Sequence, residues 1–192
     1  DDGMQNPGFI KDKNVLVLDA QRGTGNSMIF PSGPLREGIN SAVAKSDVII
    51  MVGNDNCKDL SLINSCKAIN KPFIKAKIVL ANTIDKRTQY YAFAAIGNPQ
   101  KFYNLLIGNG VRISETHSFP DHHHYTHDEI NHLKEEAKKK NLSLITTRKD
   151  YVKISDLARS STCDISSADI ICADVELKFE EKDEEKILNV LL

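Results

Sequence analysis

The sequence predicts an α/β fold built on parallel sheet with helices, with a second, smaller α/β body toward the C-terminus. Three observations carry this. Asn14-Val15-Leu16-Val17-Leu18-Asp19 is a continuous apolar run ending in Asp, as a buried parallel strand reads. Asp47-Val48-Ile49-Ile50-Met51-Val52 is a second such run, closed by Gly53-Asn54. Between them lie a Gly/Pro-rich stretch from Arg22 to Pro34 and a short helix predicted over Leu35–Lys45, which together give the strand–loop–helix–strand order of a doubly wound sheet.

The remaining elements follow in order. A helix is predicted over residues 57–69, and strands over Pro72–Leu80 and Tyr90–Ile96. Gly97-Asn98-Pro99 leads into a helix over Gln100–Ile107, because Pro is pre-shaped for a first helical turn. Val111–Ser118 is extended. Asp128–Lys140 reads as a helix, with acids in its first turn and lysines in its last complementing the dipole. Leu142–Thr146 is a short strand, Tyr151–Ala158 a helix, Asp169–Phe179 strand-forming and Glu181–Leu192 a terminal helix. The expected division is 1–71 and 72–192.

Composition bounds the function. With 192 residues, 41% hydrophobic and 27% charged, the chain can bury a sizeable core. Lys+Arg 25 against Asp+Glu 26 leaves a formal charge of −1, so no global field favours nucleic acid. No apolar run approaches the roughly 20 residues of a membrane span, and the start does not read as a signal peptide. Cys57, Cys66, Cys163 and Cys172 form no C-x-x-C pair and read as reduced, structural thiols.

Several segments have the residue types for chemistry. Asp1-Asp2-Gly3-Met4-Gln5 places two carboxylates where a strand end would hold a cation or a reacting hydroxyl; an acidic tail without a role is the plainer alternative. Pro31-Ser32-Gly33-Pro34-Leu35-Arg36-Glu37 sets Arg36 and Glu37 at a helix start, suited to clamping and orienting a phosphate, or equally to a rigid turn with a surface ion pair. Arg22-Gly23-Thr24-Gly25-Asn26 exposes glycine N–H groups but lacks the Lys-Ser/Thr of a P-loop, so a turn is favoured. Phe119-Pro120-Asp121-His122-His123-His124-Tyr125 alternates histidines along an extended loop. Zinc would need three or four converging ligands, so acid/base work by a His beside an Asp, or a solvated loop, fits better. In Thr146-Thr147-Arg148-Lys149-Asp150, Thr147 is a candidate N-cap and Lys149 a candidate anion contact.

In sequence order, DDGMQ, RGTGN, PSGPLRE, AFAAIGNPQKF, FPDHH and TTRKD resemble the tetraacyldisaccharide 4'-kinase family of lipid A biosynthesis, over essentially all 192 residues. The resemblance implies a P-loop-type sheet and phosphorylation, with ATP and Mg2+, of the 4'-hydroxyl of a lipid A disaccharide 1-phosphate precursor at the cytoplasmic face of the bacterial inner membrane. It assigns Asp1 and Asp2 to magnesium and the reacting groups, and Gln5 to the same motif. Arg36 and Glu37 would face the nucleotide phosphates and metal. His122 would support a catalytic Asp lying upstream. Such chemistry asks a protein for positioning and charge neutralisation, which carboxylates, an Arg and a metal supply.

The chain departs from the family pattern at Asn6 (usually His), Gly38 (often Pro) and Arg148 (usually Glu, a charge reversal). It also contains no P-loop, so it is expected to be the C-terminal portion of such a kinase, inactive alone and prone to aggregate at its open sheet edge. The competing expectation is a non-catalytic glycolipid- or anion-binding module; a zinc hydrolase using the histidines ranks below both. Oligomeric state is not legible.

Overall fold

The computed structural model describes residues 3–8, 10–53, 62–64, 66, 70–160 and 169–191. They form two compact units, Asp1–Ile78 with Leu177–Leu192, and Val79–Glu176. The predicted division at 71/72 left the C-terminal segment with the second body, whereas here the chain returns to the first unit at its end.

In the first unit a single 3-10 turn, Gly3–Gln5, precedes β1 (Val15–Asp19), α1 (Ile39–Lys45), β2 (Val48–Val52) and β3 (Phe73–Leu80). β1 and β2 run parallel, with Val15 opposite Val48 and Asp19 opposite Val52; β2 and β3 are also parallel, with Ile49 opposite Phe73. The sheet order is β1-β2-β3-β8, where β8 is Val175–Phe179, followed by α5 (Glu181–Leu191). β2 is the buried strand that its apolar run predicts. Val48, Ile49 and Met51 pack with Leu18, Val43, Leu62 and Cys66, or lie fully inside beside them. β1 differs from its prediction. Among the described residues it lies at one end of the sheet, where Val15 and Val17 are exposed while Leu18 turns into the core. α1 starts four residues later than predicted because Leu35 is engaged in a parallel bridge to Ile29.

The second unit contains β4 (Gln89–Ala94), α2 (Pro99–Gly108), β5 (Arg112–Ser118), α3 (His127–Lys139), β6 (Ser143–Thr147), α4 (Arg148–Ser160) and β7 (Ile170–Ala173). Its four strands are all parallel, in the order β5-β4-β6-β7. Strand alternation sorts β4 between two faces. Tyr90, Ala92 and Ala94 pack with Phe102, Tyr103 and Leu106 of α2. Phe93 and Ala95 pack with Ile130, Leu133 and Ala137 of α3 and Ile154 of α4. β4 is therefore covered by helices on both sides, and its neighbours β5 and β6 leave it in opposite directions. In open α/β sheets such a reversal opens a crevice outside the strands' carboxyl ends.

Helix ends are fixed locally. Asn98 caps α2, its side-chain oxygen accepting from Lys101 N, and Pro99 follows at the first helical position. Thr126 and Glu129 form a reciprocal capping box at the start of α3, an arrangement worth about 1 kcal/mol.

Candidate functional site

The first unit brings together two of the segments singled out in the sequence. Gln5 Nε2 donates to Glu37 Oε1 at 3.0 Å, across 32 residues. Ser41 Oγ donates to Glu37 Oε2 at 2.5 Å, and Lys45 Nζ lies 2.8 Å from the same oxygen. The Lys45 and Ser41 hydrogen bonds, more than the opposing effect of burial, lower the Glu37 carboxyl from 4.5 to about 2. Ser41 and Lys45 sit four and eight residues beyond Glu37, so α1 presents both to it on one face. Neither was singled out in the sequence, although that spacing from Glu37 was available to find them.

Arg36 is exposed and lies over the Phe30 ring, 5.7 Å from its centroid. The loop before it is tightly determined. Phe30 N donates to Leu35 O, Leu35 N to Met28 O, and Asn26 Nδ2 to Ser32 O. A Cβ at Gly33 would collide with Asn26 Oδ1 and the Met28 carbonyl, so only glycine fits there.

The RGTGN segment is a turn. Gln21 N and Arg22 N donate to Asp19 Oδ1, Gly23 N to Asp19 O, and Gly25 N to Arg22 O. The N–H groups of Arg22, Gly23 and Gly25 are thereby spent on the turn itself. Asn6 makes an Asx turn, its Oδ1 accepting from Gly8 N at 2.8 Å. Gly38 has φ −59°, the value proline imposes, so this departure changes no backbone conformation. Asp1 and Asp2 lie outside the described residues, as do Cys57, Cys163 and most of the helix predicted at 57–69.

Any magnesium contact by Glu37 would share a carboxylate that is already hydrogen-bonded. Both its oxygens already accept donors, and an ammonium neutralises its charge. Among the described residues no three His, Cys, Asp or Glu side chains converge as a metal site.

In the second unit the other three segments meet at the carboxyl ends of β4, β5 and β6. The AIGNP segment leaves β4, FPDHH leaves β5, and TTRKD spans the end of β6 and the start of α4. Asp121 packs on Gly97, where an added Cβ would lie 3.1 Å from Asp121 Oδ2. His122 takes φ +60°, and its ring is 77% exposed, 3.9 Å from Asp121 Oδ2. The other neighbouring histidine has a structural part. His123 stacks on Phe119 at 4.9 Å and lies 3.1 Å from both Glu129 oxygens. The loop therefore presents His122 and anchors itself through His123.

Thr147 and Asp150 cap α4 reciprocally. Thr147 Oγ1 donates to Asp150 Oδ2 at 2.8 Å and accepts from Asp150 N at 3.2 Å. Lys149 is exposed. Arg148 has a structural partner, its guanidinium pairing with both Asp174 oxygens, which lowers the Asp174 carboxyl. Cys172 donates to the same carboxylate and its thiol is pushed up to about 11, chiefly by burial. A raised thiol holds little of the nucleophilic thiolate near neutral pH.

The family model for tetraacyldisaccharide-1-P 4'-kinase matches residues 1–192. A tetraacyldisaccharide 4'-kinase of Rickettsia akari is 40% identical over 183 residues, 95% of this chain and 53% of the relative. Its counterpart in Rickettsia bellii is 41% identical over 177 residues, 92% of this chain and 51% of the relative. The chain thus spans about half the length of the curated relatives it matches. In structure it is similar to LpxK from Aquifex aeolicus, crystallised in complex with ATP, with a TM-score of 0.61 and 19% identity over 98% of this chain and 54% of that one. At that identity the likeness speaks for the fold alone.

Proposed function

Because this chain belongs to the tetraacyldisaccharide-1-P 4'-kinase family, we propose that it works as part of an enzyme that transfers the γ-phosphoryl group of ATP to the 4'-hydroxyl of a tetraacyldisaccharide 1-phosphate. The observation that carries this reading is the Gln5–Glu37 hydrogen bond. It joins the DDGMQ and PSGPLRE segments, two parts that the reaction needs beside one another.

The roles divide by chemistry. Arg36 supplies positive charge to the phosphates, as phosphoryl transfer requires. Glu37, held anionic by Lys45 and Ser41, orients Gln5 and the start of α1. Magnesium, when bound, neutralises charge on the transferring group; Asp1 and Asp2 are the carboxylates the proposal assigns to it. His122, exposed at the strand ends, steadies the group that accepts the sugar proton. No described helix is long and apolar enough to cross a membrane. The proposal places the enzyme peripherally at the cytoplasmic face of the inner membrane, where its lipid acceptor would lie.

The test is transfer of radiolabelled phosphate to the disaccharide 1-phosphate, comparing residues 1–192 with a chain that also contains a P-loop half. Transfer by the longer chain alone, crippled by Arg36→Ala or His122→Ala, is the expected result. Acceptor binding without transfer by either chain would overturn it in favour of a non-catalytic glycolipid-binding module.

A further inference from the structure

Asp150 is a fully buried carboxylate, and such a group persists only where neighbouring donors and charge compensate it. Its Oδ2 accepts from Ala95 N at 3.0 Å and from Thr147 Oγ1 at 2.8 Å. Its Oδ1 has no hydrogen bond but lies 3.5 Å from Lys153 Nζ. Lys153 in turn donates to the His123 carbonyl at 3.2 Å. One carboxylate thus touches the end of β4, two residues before Gly97, and the end of β6, and through one lysine it reaches the loop after β5.

The same loop closes on this centre from its other side. Tyr125, two residues beyond His123, is buried with its hydroxyl against Asp150. Burial first, and then the charge of Asp150, push its ionisation far up, so the phenol stays neutral beside the carboxylate. Asp121 of the loop rests on Gly97. His122 is held between these two fixed points while its own ring lies 3.9 Å from Asp121 Oδ2.

We propose that Asp150 is a positioning residue for phosphoryl transfer, setting through Lys153 and Ala95 the loop that presents His122. This rests on the functional reading above and goes beyond it, since Asp150 touches none of the reacting groups. The geometry also distinguishes it from an ordinary helix cap. An ordinary cap ends at the Thr147 contact, whereas the Ala95 and Lys153 contacts tie separate strand ends together.

The test uses the complete kinase chain and measures kcat and the KM for ATP in Asp150→Asn, Lys153→Met, Lys153→Arg, His122→Ala and the Asp150→Asn/His122→Ala double variant. Asp150→Asn and Lys153→Met are expected to lower kcat about tenfold or more with the KM for ATP nearly unchanged, and Lys153→Arg to retain activity. In the His122→Ala background, Asp150→Asn should add less than about threefold, because both act on one element. A merely structural role lowers the folded fraction instead, so its losses multiply; that outcome overturns the proposal. Native kcat in Asp150→Asn with a crippled His122→Ala overturns it alone. Full activity in His122→Ala overturns both it and the site reading. Should Asp150→Asn fail to fold, the one-quarter-exposed Lys153 carries the same test through Lys153→Met and its double with His122→Ala.

Discussion

Glu37 offers the sharpest quantitative test of the first unit. Its carboxyl sits at about 2 rather than 4.5, held there first by Lys45, then Ser41, with Gln5 adding to them. Taken whole, that drop would be worth roughly 3 kcal/mol. The Lys45 side chain is 55% exposed, however, and water screening reduces such a pair to about 1 kcal/mol. The folded-state value is depressed, so the stabilisation is fully present above 4.5 and is lost as pH falls from there through about 2. Glu37→Gln should therefore cost about 1 kcal/mol in urea unfolding at pH 7, and the difference from the parent should close near pH 2. Carbon-13 NMR titration of the side-chain carboxyl should find a midpoint clearly below 4.5 in the parent, raised toward 4.5 in Lys45→Met and by less in Ser41→Ala. A parent midpoint of 4.5, or a Lys45→Met variant that titrates like the parent, would refute the cluster.

Two further predictions concern the second unit. Phe93 is fully buried, edge-on to Tyr125 at 6.0 Å; Phe93→Ala should cost about 3–5 kcal/mol, and a urea midpoint close to the parent's would show that this face is not packed as described. Arg148 is 60% exposed and serves Asp174, so Arg148→Ala should cost at most about 1 kcal/mol and leave phosphate transfer intact. A tenfold loss of transfer would place Arg148 in the catalytic machinery.

What was legible in the sequence depended on whether the signal was local. β2 and β4 were readable because burial on both faces leaves an unbroken apolar run, and α3 because its caps and dipole charges are written within one turn. β1 carries the same apolar run, yet Val15 and Val17 are exposed at the end of the sheet that the described residues form, because no periodicity separates an outer from a central strand. The Gln5–Glu37 meeting spans 32 residues and was not expected, since the resemblance gave each segment a role without pairing them and nothing local encodes it. Asp150 passed unnoticed because an Asp among charged residues at a helix start reads as solvated. Only the fold shows that the end of β4 delivers the Ala95 N–H to it.

The strand order of the second unit has a consequence for how the chain is made. β4 is the first of its sheet to be synthesised, yet the buried residues of other elements that pack with Phe93, from Tyr125 to Ile170, come later. During translation an aromatic, alanine-rich surface must wait for two helices and two flanking strands before it is covered on that side. Parallel pairings of this kind form late, because loop closure precedes any contact that rewards it. The nascent chain therefore passes through a stage with its central strand bare, and the interval between Phe93 and Ile170 is where a chaperone would have most to do.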